Sequence, residues 1–510
     1  MPKWCDKETG EFPGGEVEID KTYFSGSYDY EDFNMRYNRV LLVFPAFKSE
    51  AGSAWPSPSI GYLAQAMEDH NTCYDVLDMK LGYSFQDLIN KVDEFCPDLI
   101  GFTIFTLHHK AVYEIIEKLK GLMPNIQVIV GGAHMCTVKE DALRKCNAID
   151  YVCCGEGEEL IIELCTGKEL ASIKGLAYRE GGEIILTGPR SYEPNLDRFN
   201  FPRFKKFELG KYTDEILMLS SRGCPYSCIY CSVQLFSGKK IRVRSVDSII
   251  DEIDYWHQRG KKILNFADDN FTFYADRVYQ LCDEIEKRGL KNLTLRCSGV
   301  RADKLGRKLL KRMKEVGFKG IGIGVEAGNN KVLKLIKKGE TVEEIEETIK
   351  NACDLGYEVI LYFLFGTPGE TEEDIEDSIK LALKYPVFKV EFYNPVPFPG
   401  TELYDWVNKY NVWTGDPITL LNDADKIARF GSSPFFVTKE LPLEKRIALG
   451  KKVKRVMSQV TINSIQRMLE PLMGRLLSFI LARILFSTSV LQLYYKNNFF
   501  RKVADNLRYR

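Results

Sequence analysis

The chain has 510 residues, which at roughly 150 residues per domain corresponds to about three domains. Its 45% hydrophobic and 28% charged content excludes a largely disordered polypeptide. Seventy Lys and Arg against 71 Asp and Glu leave a net charge of -1, so no nucleic-acid partner is expected. The charge is nevertheless segregated: residues 451–510 hold 12 Lys and Arg against 2 Asp and Glu, and this basic end is expected to seek an acidic surface. Fourteen cysteines follow an N-terminus too charged for a secretory leader, which points to a reducing cytoplasm where thiols serve metals or packing. The longest apolar run, Leu472 to Leu485, is interrupted by Arg475 and Arg483, so no spanning helix is expected.

Residues 1–38 show no periodicity and read as an N-terminal extension. Over 39–165, short apolar runs (Val40 to Phe44, Tyr74 to Met79, Leu99 to Phe105, Gln127 to Val130, Tyr151 to Cys154) predict strands. Between them, Ile60 to Glu68, Phe85 to Phe95, Ala111 to Leu122, Lys139 to Lys145 and Glu158 to Cys165 predict helices. Five strand-helix units imply an α/β, doubly wound parallel sheet with its ligands at the carboxyl ends of the strands. A Gly- and Pro-rich stretch, 166–210, reads as a linker. Over 211–413 the alternation resumes, with strands at Ile216 to Ser220, Ile263 to Ala267, Leu293 to Cys297, Gly320 to Glu326, Val359 to Phe365 and Val387 to Tyr393. Six units are too few for a closed eight-unit barrel, so an open partial (β/α)6 barrel is expected. Residues 414–510 read as mostly helical.

Directly after the first barrel strand comes Ser221-Arg-Gly-Cys224-Pro-Tyr-Ser-Cys228-Ile-Tyr-Cys231. Three thiolates at this spacing hold three irons of a [4Fe-4S] cluster and leave the fourth iron open. The competing readings are a zinc site completed by His257, and thiols that only pack. The motif and barrel resemble the radical S-adenosylmethionine superfamily. The resemblance implies that Cys224, Cys228 and Cys231 bind the cluster, and that the open iron chelates S-adenosylmethionine. An external electron donor then drives its cleavage to a 5'-deoxyadenosyl radical. It further implies that Tyr230 contacts the adenine. The family's Gly-Gly-Glu after the second strand is replaced by Asp268-Asp269-Asn270. Asp268, Asp269, Ser298 and Glu326 therefore stand as the groups that receive the cofactor's amino group and hydroxyls, although a carboxylate there is equally suited to capping the next helix.

Pro58-Ser-Ile-Gly61, Ile129-Val-Gly131-Gly132-Ala-His134 and Cys154-Gly155-Glu156-Gly157 resemble the cobalamin-binding domain fused ahead of many radical S-adenosylmethionine enzymes. The resemblance implies that Thr103, Gly131, Gly132, Gly155 and Glu156 lie against a corrinoid, with the glycines allowing close backbone approach. The corrinoid motif Asp-x-His-x-x-Gly falls at Asp78 to Tyr83, where Lys80 replaces the histidine, so cobalt without that ligand is expected. The alternative is a domain that has kept its fold and lost the cofactor. His108, His109 and His134 read as axial or substrate contacts or, more simply, as residues that start helices; Cys136, Cys153 and Cys154 read as an auxiliary metal centre or as buried thiols.

From Ile462 to Tyr495, apolar residues cover most of a helix while Arg467, Arg475 and Arg483 recur at eight-residue spacing; Tyr494, Tyr495, Lys496, Phe499, Phe500, Arg501 and Lys502 follow. Interleaved aromatic and cationic residues suit an anionic membrane surface, and the alternative is a helix pair packed on the protein or in a dimer. Together these features predict a cytoplasmic enzyme, peripheral on the membrane, that acts on a hydrophobic or lipid substrate. Cobalamin-dependent C-methylation is the leading reading. The alternatives are radical carbon-carbon coupling or cyclisation of a lipid or tetrapyrrole with an empty cobalamin-type domain, a transfer-RNA methylthiotransferase, and a corrinoid carrier or sensor without turnover. No side chain is singled out as a catalytic acid or base.

Overall fold

The computed structural model describes residues 35–46, 55–422 and 434–485. The greater part of the N-terminal extension and the aromatic, basic stretch from 486 onwards lie outside the described residues.

The first sheet holds β1 (Arg39–Phe44), β2 (Cys73–Asp78), β3 (Leu99–Thr103), β4 (Gln127–Gly131), β5 (Tyr151–Cys153), β6 (Leu176–Glu180) and β7 (Glu183–Leu186), in the order β2-β1-β3-β4-β5-β6-β7. Its first five strands are parallel, as the alternation predicts. On β1, Val40, Leu42 and Phe44 pack with Ile60, Met67 and Leu160 on one face, while Leu41 and Val43 pack with Leu88, Val92 and Ile116 on the other. Burial on both faces is what makes β1 a continuous apolar run. The first of these clusters continues through Phe204 and Trp256 into the barrel, so the two domains share one core.

Three sequence expectations need correction. Residues 166–210 are not only a linker: β6 and β7 form a hairpin that adds antiparallel strands to the sheet edge. Its two-residue turn, Gly181-Gly182, has positive φ at both positions (57° and 86°), the conformation that suits tight hairpins. The helix expected over Lys139 to Lys145 spans Asp141–Lys145, and a further short helix, Ala133–Val138, precedes it, the two divided at Lys139 with φ of 48°. Strand β3 ends at Thr103 rather than Phe105, because its ladder with β4 stops at Thr103 opposite Gly131.

The second sheet is an open barrel of six parallel strands taken in sequence order: β8 (Glu215–Met218), β11 (Ile263–Phe266), β12 (Thr294–Val300), β13 (Phe318–Glu326), β14 (Glu358–Leu364) and β15 (Lys389–Tyr393). Between β8 and β11, β9 (Ser221–Arg222) and β10 (Arg242–Val243) pair antiparallel and close the base of the cysteine loop. Alternate residues such as Ile216, Met218, Leu264 and Phe266 are buried beneath the helices. Capping boxes start three of the helices, at Ser84, Thr341 and Thr371.

The helix Leu443–Leu485 packs on β15 and on the helix Glu372–Lys384. Arg446, fully enclosed, latches it to the loop after β14: its guanidinium donates to the Phe436 carbonyl (2.8 Å), the Phe365 carbonyl (3.0 Å) and Asn394 Oδ1 (3.1 Å). Gly366 makes room, since a Cβ there would lie 2.1 Å from the Arg446 Cζ. Burial pushes the adjacent Glu370 carboxyl up to about 7. Replacing Arg446 by Met leaves these buried acceptors without their cation and should cost about 3 kcal/mol of stability, read by chemical denaturation. An unchanged midpoint would show that the latch does not hold the helix.

Candidate active site

The cysteine loop is held at its entry by two carboxylates, Asp268 buried and Asp269 partly so. Asp268 accepts hydrogen bonds from the Ser220 backbone N–H (2.6 Å), the Ser220 hydroxyl and the Ser221 hydroxyl (2.7 Å). Asp269 accepts from the Gly223 N–H at 2.8 Å. Gly223 is required there: its φ is +100°, and a Cβ would sit 2.4 Å from the Lys240 carbonyl. Cys224 N–H then donates to the Gly238 carbonyl (3.1 Å), Cys231 N–H to the Cys228 carbonyl (3.1 Å), and Gln234 Nε2 to the Tyr226 carbonyl (2.6 Å). Both oxygens of Asp268 are thus committed to positioning the loop, which differs from the cofactor contact that the motif suggests.

All three loop thiols are partly buried, and burial raises their pKa, that of Cys231 to about 11. Arg301 and Lys338 oppose the rise at Cys224 and Cys228. Lys338 is buried between Glu326 (3.3 Å) and Glu340 (3.4 Å), and Arg301 lies over the Tyr226 ring at 3.5 Å. Two buried cations beside three thiols suit an anionic cluster, which needs the thiolate forms. Among the described residues no three His, Cys, Asp or Glu side chains converge to hold a single metal ion. The fourth ligand of the zinc reading, His257, bonds instead to the Lys291 carbonyl at 3.0 Å. A four-iron cluster places each thiolate on a different iron and needs no such convergence.

Glu326 ends β13 with φ of 64°, a left-handed conformation that is strained for this residue type. Its carboxylate and burial together hold the Tyr230 hydroxyl well above its ordinary pKa, with burial the larger cause. Ser298 is exposed on β12 and its hydroxyl lies 3.3 Å from Asn265 Oδ1.

Thr103, Gly131, Gly132, Gly155 and Glu156 converge on a cavity of about 360 Å³ between the two carboxyl edges, and Asp269 and Arg222 line it from the barrel side. Gly132 has φ of +97°, and a Cβ would stand 2.8 Å from both the Ile104 carbonyl and Thr103 Oγ1. Glycine is therefore needed at 132 for the chain after β4 to pack against the end of β3. The position equivalent to the corrinoid histidine, Lys80, is turned onto the Phe44 ring (4.1 Å) and the Trp55 carbonyl (2.9 Å). His109 and His134 stack on each other at 4.4 Å and both bond Thr106, away from the cavity lining. His108 occupies the N-cap position of the helix His109–Leu122 without a side-chain capping bond, and His109 is the first helical residue. Burial lowers His134 to about 3, so this imidazole is neutral.

Sequence reasoning gave no role to Arg222, Arg242, Glu158 or Lys338. Arg222 stands inside the cysteine motif, but its partners are distant in the chain and only the fold reveals them.

Comparison with known proteins agrees with this geometry. Residues 218–382 match the radical SAM superfamily and residues 46–164 the B12 binding domain. An uncharacterized methyltransferase of Pyrococcus horikoshii is 31% identical over 391 residues, 74% of this chain and 85% of the relative. An anaerobic magnesium-protoporphyrin IX monomethyl ester cyclase of Cereibacter sphaeroides is 27% identical, over 72% of this chain and 63% of the relative. The solved structure of the radical S-adenosylmethionine methyltransferase TsrM from Kitasatospora setae, with tryptophan and a cofactor analogue bound, superposes with a TM-score of 0.65 at 22% identity, covering 73% of this chain and 76% of that one. The chain belongs to the radical SAM enzymes whose barrel follows a B12-binding domain, the cobalamin-dependent radical SAM methyltransferase family. Its cofactors are a [4Fe-4S] cluster, S-adenosylmethionine and cobalamin, and it draws electrons from an external donor.

Two variants separate the halves of the site. Changing Cys224, Cys228 and Cys231 together to Ala should abolish iron uptake on anaerobic reconstitution while hydroxocobalamin still binds. Gly132→Val should do the reverse, weakening hydroxocobalamin binding by about tenfold or more, since its side chain meets the Ile104 backbone just after β3, while iron uptake persists. Parallel loss of both in either variant would show the two sites are not separately built.

Proposed function

We propose that the enzyme methylates an unactivated carbon of a hydrophobic substrate that it meets at a membrane surface. When bound, the cluster with S-adenosylmethionine supplies a carbon-centred radical, and cobalamin supplies the methyl group. The protein's own part is placement and exclusion of water. Asp268 and Asp269 fix the cysteine loop, Lys338 and Arg301 offset its negative charge, and Glu326 with Tyr230 and Ser298 provides polar contacts for the adenosyl cofactor. Thr103, Gly131, Gly132 and Gly155 would cradle the corrinoid, and Lys80, committed elsewhere, leaves cobalt without a histidine from that strand end.

The observation that carries the choice of substrate is the far end of the long helix. From Pro471 onwards, on both sides of the break at Gly474, it exposes Leu472 (79%), Leu476 (74%), Leu477, Ile480 and Ile484. This apolar face leads directly into the basic, aromatic residues from 486 onwards. No described helix is long and apolar enough to cross a membrane, so the face suits lying in the interface. Its cations add about 1 kcal/mol each near an acidic bilayer. In flotation with phosphatidylglycerol vesicles, the full chain should bind with partial loss at high salt, and Leu472→Ser/Leu476→Ser/Leu477→Ser should float far less. Equal flotation of both chains, or a change only in oligomeric state, would reject the membrane role.

Carbon-carbon coupling or ring closure is the second reading, favoured by the similarity to the Cereibacter sphaeroides cyclase. Incubating the reduced enzyme with S-adenosylmethionine deuterated in its methyl group, and with a lipid and pigment extract of cells lacking this chain, separates the two. Methylation transfers the label into a hydrophobic product. A product without label, alongside 5'-deoxyadenosine, would favour coupling or cyclisation, and a chain that neither cleaves the cofactor nor transfers the label would be a carrier.

A further inference from the structure

The Gly155-Glu156-Gly157 edge lines the cavity, and there the Glu156 carboxylate is engaged by donors of the protein itself. Its Oε1 accepts from Arg222 Nη1 (2.9 Å) and Arg242 Nη1 (2.8 Å). Its Oε2 accepts from Arg242 Nη1 (2.9 Å) and from the Glu193 backbone N–H (3.1 Å). Two residues on, Glu158 Oε1 accepts from Arg222 Nη2 at 2.6 Å. The four side chains retain 11%, 13%, 4% and 7% exposure for Glu156, Arg222, Arg242 and Glu158 respectively. Aromatic rings back the cations: Arg222 lies 4.8 Å over Tyr62, and Arg242 lies 4.9 Å over Tyr192.

The two arginines also belong to the cysteine loop. Arg222 and Arg242 are directly opposed in the β9–β10 ladder that closes it. Arg222 is followed by Gly223 and Cys224. Arg242 donates to the Ser237 carbonyl at 3.0 Å, and the next residue, Gly238, accepts from Cys224 N–H. A continuous run of hydrogen bonds therefore links the glycine edge after β5 to the first cysteine. Planar guanidinium forks transmit position in a way an ammonium does not, because each fixes two acceptors in one plane. Both charges are largely removed from water, so the pairs hold only while both sides remain in register.

We propose that Glu156, with Arg222 and Arg242, is a positioning clamp that sets the cobalamin edge against the cluster loop, so that its loss disorders the spacing of the two cofactors without emptying either site. This rests on the reading that the chain holds both cofactors at once, but one arm of its test does not.

The variant is Glu156→Gln in the full chain, which keeps the volume and removes the charge. In the iron-loaded enzyme without corrinoid, amide hydrogen exchange across 223–231 should rise by about tenfold or more, with exchange in the barrel helices unchanged. In the enzyme loaded with both cofactors, iron and cobalt should remain at the level of the parent chain. The magnetic interaction between the reduced cluster and cob(II)alamin should be a single narrow component in the parent and should broaden in the variant. Arg222→Lys cannot bridge Glu156 and Glu158 together and should behave alike; it also serves if Glu156→Gln does not fold. Unaltered exchange and an unaltered magnetic interaction would overturn the clamp. So would a loss of cobalt alone with the loop unchanged, which would make Glu156 a direct corrinoid contact. If the parent chain takes up no corrinoid, the proposed function fails, while the exchange measurement still decides the clamp.

Discussion

Buried carboxylates accepting hydrogen bonds across the chain are the constraint on which the site depends. A parallel strand delivers its ligand groups at its carboxyl end, and this protein has two sheets whose parallel strands present their carboxyl ends to one cavity. Taking a carboxylate out of water costs several kcal/mol unless its oxygens are fully engaged. Asp268 and Asp269 are engaged by the residues that enter the cysteine loop, and Glu156 by the arginines of that loop's base. Moving either edge leaves a buried charge without donors, so the charge resists the movement.

The apolar core acts together with that polar junction. Phe204 lies against Gly61, where a Cβ would be 2.4 Å from its ring, and stacks towards Trp256 of the barrel helix Val246–Gln258. Hydrophobic burial gives the domains affinity for one another without fixing orientation, whereas hydrogen bonds to buried charges fix orientation with little net stabilisation. The long C-terminal helix follows the same division. Arg446 orients its start against the loop after β14, its middle packs on β15, and its far end is left apolar and exposed.

What was legible in the sequence was what local spacing encodes. Cys224, Cys228 and Cys231 sit within one loop, the glycines at 131, 132 and 155 stand at strand ends, and the strand-helix alternation yields both parallel sheets. The hairpin of β6 and β7 was legible in principle, since Gly181-Gly182 separates two short alternating runs, but its Gly and Pro neighbours resemble a linker. The split at Lys139 gave no signal, because a lone residue in the left-handed region carries no sequence mark outside glycine and asparagine. Glu156 shows the deeper limit. Its neighbours announce a ligand edge, yet its partners Arg222 and Arg242 lie 66 and 86 residues away, so only the packed domains reveal where the carboxylate points. Asp268 is similar: a carboxylate at a strand end reads alike whether it meets a cofactor or the next loop.

The claim at the centre of this structure is that one chain holds an iron–sulfur cluster and a corrinoid at facing sheet edges. The most direct measurement is metal content of the full chain after anaerobic reconstitution with iron, sulfide and hydroxocobalamin, with the cobalt(II) spectrum recorded on the same sample. About four irons and one cobalt per chain are expected, with no nitrogen splitting on the cobalt(II) signal. Iron without cobalt, or a cobalt signal split by a histidine nitrogen, would contradict it.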